Sequence, residues 1–337
     1  MVQLREDAME AAETTSSGTG VLEQAAPEAP FERDSALIYF RGQMRPYREC
    51  GLGPMTHALH YGTACFEGIR AHWNPARAQL YIFRAAEHYD RLAQSAHILQ
   101  MKLPLSTEQL CELTRELLRA NRFHADVYIR PLVYKSSEEI GVRLHGLEHD
   151  LLVYAQPFGH YIEAAAGVRC MVSSWRRVDD NAAPARAKIT GTYINAALAK
   201  SEAVENGYDE AIVLGQDGHV SEGSAENLFI VRKGTLITPS VSDNILEGIT
   251  RSTLMQLWSE DLGLPVVERS IDRTELYIAD EVFLCGTGAQ FTPVVEVDRR
   301  MVGSGRIGPY SEALGRLYSK VIMGEVEKYR EWCLPVY

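Results

Sequence analysis

The chain has 337 residues, 46% hydrophobic and 23% charged, an ordinary globular composition with length enough for two domains with their own cores. Its 45 acidic against 34 basic residues give a formal net charge of -11 with no basic cluster, which argues against nucleic acid or an anionic membrane surface as partner. No stretch approaches the ~18 uninterrupted apolar residues of a membrane span, and six scattered cysteines without a C-x-x-C pair read as reduced thiols of a cytoplasmic protein.

Residues 1–34, rich in Glu, Ala, Ser, Thr, Gly and Pro, cannot bury enough to order themselves and are expected to form a disordered tail. From Ala36, ALIYFRGQMRPY predicts a strand and a turn, and LYIFRAAEHYDRLAQSAHIL a strand followed by an amphipathic helix. STEQLCELTRELLRANRF has helical spacing, while DVYIRPLVYKSS and DLLVYAQPFG are β-branched and aromatic runs. Residues 35–157 are thus expected to form an α+β domain, and 158–166 a connector. The remainder, 167–337, starts with the strand VRCMVSSWRRV and a small-residue helix after Gly191. A meander of hairpins follows, turning at Asp217-Gly218 and Lys233-Gly234, then a helix in GITRSTLMQLWSEDLG, strands in EVFLCGTGAQFTPVVEVD and a terminal helix carrying Lys320 and Lys328.

Only seven of the 34 basic residues are lysines, and Lys188 stands apart in ARAKITGTY, among Ala, Ile, Thr and Gly with Tyr193 five residues on. Amines in apolar surroundings lose their proton more readily, and a neutral amine is what a Schiff base requires; the alternative is a solvated loop lysine. In SEGSAENLFIV, Glu226 precedes a strand whose Leu228 and Ile230 share its face, so its carboxylate is expected to point inward and to need a donor or cation. A pyridinium nitrogen would serve, and Glu222 competes for the role. LEGITR opens a helix at Gly248, Ile249 and Thr250, where free N–H groups favour a phosphate, and CGTGAQ offers Thr287 for a second anion contact. That GxG lacks the third glycine and following helix of a dinucleotide fingerprint, and the HxxH of His57 and His60 lacks a third ligand, so no metal is expected. An amine, a buried carboxylate and two anion-binding turns together fit pyridoxal 5'-phosphate.

The ordered motifs HALHYGTACFEGIRAH, YIRPL, AKITGTY, SEGSAENLF, LEGITR and DEVFLCGTGAQFTPV resemble those of the fold-type IV pyridoxal-phosphate enzymes, specifically the branched-chain amino acid aminotransferases. The resemblance runs from about residue 36 to residue 330 and implies an α+β fold of two domains, a small α+β domain and a larger pseudo-barrel domain with the cofactor between them. It implies at least a homodimer and ping-pong transfer between leucine, isoleucine or valine and 2-oxoglutarate. Lys188 becomes the Schiff-base lysine, Tyr193 the phenol near the ring oxygen, Glu226 the pyridine partner, and Arg91, Ile249, Thr250 and Thr287 the phosphate cup. For substrate it implies Phe66, Gly68, Tyr128, Arg130, Phe158, Tyr161 and Gly288, with Tyr61 and Val142 reaching in from a neighbouring subunit. Phe158 stands where many bacterial relatives have Trp, and Gly288 where Ala is common. Other fold-type IV enzymes, acting on D-amino acids, (R)-amines or aminodeoxychorismate, would use the same lysine and carboxylate; the YIRP stretch favours the branched-chain type.

Overall fold

The computed structural model describes residues 31–159 and 166–337. Residues 1–30 of the expected tail and 160–165 of the expected connector, Tyr161 among them, lie outside the described residues.

The first half builds strands β1 (Leu37–Phe40), β2 (Gln43–Pro46), β3 (Ala64–Phe66), β4 (Ile69–Asn74), β5 (Gln79–Phe83), β6 (Val127–Lys135) and β7 (His149–Pro157). Three helices interrupt them, α1 (His57–Tyr61), α2 (Ala85–Ile98) and α3 (Thr107–Ala120). α3 begins on a capping box in which Ser106 and Gln109 satisfy each other's backbone N–H groups. Leu92 and Ala96 of α2 and Leu110, Leu117 and Leu118 of α3 bury against Ile69, Ile82, Ile129, Val133 and Val153 of the sheet. Along β6 the period of two puts Val127, Ile129 and Val133 into that core and turns Tyr128 and Arg130 to the opposite face.

The second half builds β8 (Val168–Arg176), α4 (Tyr193–Glu205), β9 (Glu210–Leu214), β10 (Val220–Gly223), β11 (Asn227–Arg232), β12 (Thr235–Thr238), α5 (Ile249–Glu260), β13 (Val266–Glu268), β14 (Glu281–Gly286), β15 (Gln290–Val297), β16 (Arg300–Met301) and α6 (Pro309–Ile322). Its sheet runs β10-β9-β8-β15-β14-β11-β12-β13, with β16 on β15. The central strands are buried on both faces. Leu228, Ile230, Val282 and Leu284 enter one core, while Phe229, Val231, Phe283 and Cys285 meet Leu254, Leu257 and Trp258 of α5 and Leu314 and Tyr318 of α6 in another. This explains why those strands read as continuous apolar runs instead of alternating ones.

Two features lie beyond the linear reading. The last strand, β17 (Cys333–Pro335), returns to pair with β5, so the first sheet is ordered β17-β5-β4-β6-β7-β1-β2, with β3 also on β6. Lys328 does not lie on the terminal helix: α6 stops at Ile322, Gly324 adopts φ +66°, and Lys328 falls in a separate 3₁₀ segment, Glu327–Trp332. The six cysteines are all free thiols, and Cys65, Cys170, Cys285 and Cys333 are buried. Among the described residues no helix is long and apolar enough to cross a membrane.

The halves meet where two glycines touch. Gly62 ends α1 at φ +63°, and a Cβ there would lie 2.6 Å from the Cα of Gly191, three residues beyond Lys188. Gly62→Ala must force these loops apart and is expected to cost about 2–3 kcal/mol, against about 1 kcal/mol for Gly207→Ala, which has a positive φ but open space. Urea midpoints of the two variants check this; equal losses would mean that the glycine contact is not tight.

Candidate functional site

Between the two sheets lies a cavity of about 530 Å³. Lys188 enters it from a short extended segment whose backbone belongs to the first half. Phe66 N–H donates to Lys188 O at 3.0 Å, Lys188 N–H donates to Ser95 Oγ at 3.1 Å, and Ile189 bridges Cys65. Ala187 and Ile189 are buried in the first sheet's core, so the residue between them faces the other way. Its Nζ donates to the Tyr193 hydroxyl at 2.5 Å, at the start of α4, and lies 5.1 Å from the Phe66 ring centroid. Lys188 is therefore a cavity residue and not a solvated loop lysine.

Two buried carboxylates line the opposite wall, Glu222 (4% exposed) and Glu226 (3% exposed). Glu222 already has partners: Arg177 Nη2 at 2.6 Å, and Asn227 Nδ2 and Leu246 N–H at 3.1 Å each. Among the described residues, Glu226 accepts one hydrogen bond, from Ala225 N–H at 3.0 Å, and makes no salt bridge. Burial, reinforced by the nearby charge of Glu210, pushes its carboxyl up to about 8. Of the two acids, Glu226 is the one that lacks a cation, which fits a protonated ring nitrogen.

The helix α5 points its first turn into the same cavity. Gly248 caps it without a side-chain bond, so its leading N–H groups at Ile249 and Thr250 lack helical acceptors. The β14–β15 turn brings Thr287 and Gly288 alongside, an arrangement suited to a phosphate. Arg91 lines this end, yet most of its donors are engaged: Nε and Nη2 bond Glu67 at 2.7 and 2.8 Å, and Nη1 bonds Glu247 O at 2.8 Å. Burial would raise the Glu67 carboxyl, but Arg91 and His88, 2.7 Å away, hold it well below the usual carboxylate range. An amine, an unpaired carboxylate and an uncapped helix end in one cavity fit pyridoxal phosphate.

The remaining wall comes from β6, β7 and β3. Arg130 Nη2 donates to the Tyr128 hydroxyl at 2.7 Å, and its guanidinium sits 4.3 Å from the Phe66 ring centroid, so it is not paired with Glu138 or Glu139. Tyr128 lies so close over Gly68 that a Cβ there would meet its hydroxyl oxygen at 2.2 Å. Phe158 packs beside Tyr128 with centroids 5.0 Å apart.

Thus Lys188, Tyr193, Glu226, Arg91, Ile249, Thr250, Thr287, Phe66, Gly68, Tyr128, Arg130, Phe158 and Gly288 converge on one cavity. Tyr61 and Val142 do not line it: the Tyr61 hydroxyl accepts from Gly141 N–H at 3.3 Å, and Val142 is 88% exposed. His57 bonds Thr63 and the Gly141 carbonyl, whereas His60 bonds the Pro54 carbonyl. Sequence reasoning missed Tyr154, Gln156, Arg177 and Lys200, which also line the cavity. Tyr154 and Gln156 had a signal, since their two-residue spacing in LLVYAQ repeats that of Tyr128 and Arg130, their cross-strand partners.

Residues 64–297 match the family model described as amino-transferase class IV. The chain is 48% identical over 301 residues to a probable branched-chain-amino-acid aminotransferase of Aquifex aeolicus, covering 89% of this chain and 97% of that one. Among solved structures it is similar to the branched-chain aminotransferase of Thermoproteus uzoniensis with norvaline (43% identity, TM-score 0.86, 90% of this chain and 100% of that one). It is also similar to the branched-chain amino acid aminotransferase of Thermobaculum terrenum in its PLP-bound holo form (38% identity, TM-score 0.87, 91% and 100%).

The Glu226 carboxyl has a pH signature. Because its folded pKa of about 8 lies above the ordinary 4.5, the cofactor-free chain keeps the full contribution of this group below pH 4.5 and loses it as pH rises through about 8. Glu226→Gln is expected to match wild type near pH 4.5 and to exceed its stability by a few kcal/mol near pH 8.5. Urea unfolding at the two pH values reads the difference; parallel behaviour would mean that Glu226 is not the strained carboxyl.

Proposed function

The chain belongs to the class IV aminotransferases and acts as a branched-chain-amino-acid aminotransferase with pyridoxal 5'-phosphate; on that premise we propose how its residues divide the work. It transfers the amino group reversibly between L-leucine, L-isoleucine or L-valine and 2-oxoglutarate, yielding branched 2-oxo acids and L-glutamate. The observation that carries this assignment of residues is the convergence of the Lys188 amine with a buried carboxylate that has no cation of its own.

When bound, the cofactor supplies an electron sink for the charge left at the substrate's Cα. Lys188 is the amine that holds it covalently and carries the proton removed from Cα. The Tyr193 hydroxyl, 2.5 Å from Lys188 Nζ, orients that amine. Glu226 holds a proton on the ring nitrogen, and the N–H groups of Ile249 and Thr250 with the Thr287 hydroxyl hold the phosphate. Arg91 stiffens that end through its bonds to Glu67 and the Glu247 carbonyl. Phe66, Tyr128 and Phe158 form an apolar wall that excludes water and suits a branched side chain.

The same wall must also accept a γ-carboxylate, which costs several kcal/mol on an apolar surface without a cation. Arg130 supplies one. Its guanidinium sits over Phe66 and, among the described residues, is hydrogen-bonded through the Tyr128 hydroxyl, so it can meet a carboxylate or stay folded when leucine enters.

The assembly we infer is a homodimer. Leu59 (60% exposed), Ile140 (86%) and Val142 (88%) leave apolar side chains in solvent beside Tyr61, and a second copy covering them would bring Tyr61 and Val142 towards its cavity. Six free thiols support a cytoplasmic, reducing location.

Lys188→Ala is expected to abolish transamination while leaving the circular dichroism spectrum unchanged; more than trace turnover without added amine would contradict the assignment. Arg130→Met is expected to slow the glutamate and 2-oxoglutarate half-reactions roughly tenfold to a hundredfold, with a much smaller effect on leucine. Single-turnover absorbance with each amino acid separates the halves, and equal losses would leave Arg130 a structural residue.

A further inference from the structure

Behind Glu226 the sheet holds another buried carboxylate. Glu210 opens β9, is 0% exposed, and accepts from Ala211 N–H at 2.7 Å and from Lys200 Nζ at 2.6 Å. In the antiparallel pairing of β9 with β10, Gly223 lies opposite Ile212, and Glu210 precedes Ile212 by two residues, so its side chain shares that face. A Cβ on Gly223 would project to the same face and would lie 2.8 Å from Glu226 Oε2. The Glu210 and Glu226 carboxylates therefore occupy one side of the sheet. Cys170 on β8, in register with Glu210 and fully buried, has its thiol pushed well up by burial first and then by Glu210 and Glu226.

Lys200 reaches this place from α4. Its Nζ also donates to the Asp209 carbonyl at 2.6 Å, its side chain is 30% exposed, and it lines the cavity together with Glu226. Two carboxylates on one buried face repel, and one of them stays protonated unless a cation neutralises the other. Among the described residues, the other groups whose charge bears on Glu226 are Glu222 on β10, held by Arg177, the thiols of Cys170 on β8 and Cys285 on β14, and Lys200 itself, whose ammonium also lowers the Glu226 carboxyl directly. Apart from Lys200, none of these supplies a positive charge that is not already paired.

We propose that Lys200 is a positioning residue of the cofactor site: its ammonium neutralises Glu210, so that the negative charge of Glu226 is left for a protonated ring nitrogen. The proposal rests on the cofactor reading above and extends it to the ion pair behind the carboxylate assigned to the ring nitrogen. The ion pair acts on the reaction through Glu226, by setting how readily that carboxyl gives up its proton.

The test uses the full chain labelled with ¹³C-carboxyl glutamate, with the Glu226 resonance identified by its loss in Glu226→Gln. Lys200→Met is expected to raise the pH midpoint of Glu226 in the cofactor-free chain by about one unit or more, and Glu210→Gln to lower it by a similar amount. Lys200→Met/Glu210→Gln is expected to return within about half a unit of wild type, and Lys200→Arg to match wild type. With pyridoxal phosphate added at pH 8, the dissociation constant rises about tenfold in Lys200→Met and recovers in the double variant and in Lys200→Arg. A merely structural lysine would give a double variant no better than Lys200→Met, and that result, or an unmoved midpoint in Glu210→Gln, overturns the proposal. Should Lys200→Met fail to fold, Glu210→Gln and the double variant decide alone. A wild-type chain that takes up no pyridoxal phosphate would count against the functional reading, and the carboxyl titration would still decide this one.

Discussion

The site depends on a few backbone bonds that tie the lysine segment to the wrong half of the chain. Residues 187–189 follow β8 in sequence, yet they pair with Cys65 and Phe66 of β3, and Ala187 and Ile189 sink into the core that β3 shares with α2 and α3. In extended backbone, burying the two neighbours leaves the middle side chain one direction only. The hydrogen bonds contribute about 1 kcal/mol each, but they fix where the amine points, because a slip of one residue would bury the lysine and expose an alanine or isoleucine. The Gly62–Gly191 approach serves the same end, since any larger side chain would hold the segment away from α1.

Around that amine the buried charges follow one rule with one exception. Glu67 is met by Arg91 and His88, Glu222 by Arg177, and Glu210 by Lys200, each at 2.6 to 2.8 Å. Breaking any of these pairs leaves an uncompensated buried charge, typically a loss of about 3–5 kcal/mol. Among the described residues, Glu226 alone in this group has a backbone N–H as its one partner. Buried polar groups are ordinarily satisfied, so an exception inside a cavity marks the place where a ligand completes the set. On the proposed reading, the modest instability stored there is recovered when the cofactor's ring nitrogen arrives.

The architecture was largely legible because periodicity reports burial directly. The alternation in VYIRP announced that Tyr128 and Arg130 share a face, whereas the burial of β11 and β14 on both faces emerged with the helices packed on them. Ordered motifs led to Lys188, Glu226 and the start of α5, which line one cavity. Less legible were residues whose role depends on a partner distant in sequence: Glu67 with Arg91 across 24 positions, Arg177 with Glu222, and β17 closing on β5 some 250 residues earlier. Lys200 looked ordinary in its helix because nothing local points to Glu210 as a fully buried acid.

Local pattern and residue chemistry were enough for most of the strands and helices, for their apolar faces and for the reaction class of the motifs, but not for β17 or the end of α6. Tertiary structure decided which of two neighbouring glutamates lacks a cation among the described residues, that Arg130 rests on Tyr128 and Phe66 instead of a loop acid, and that Tyr61 and Val142 lie away from the cavity. The reason is physical: the charge state and availability of a side chain are set by what packs within a few ångströms of it, and those neighbours come from strands that the chain brings together only on folding.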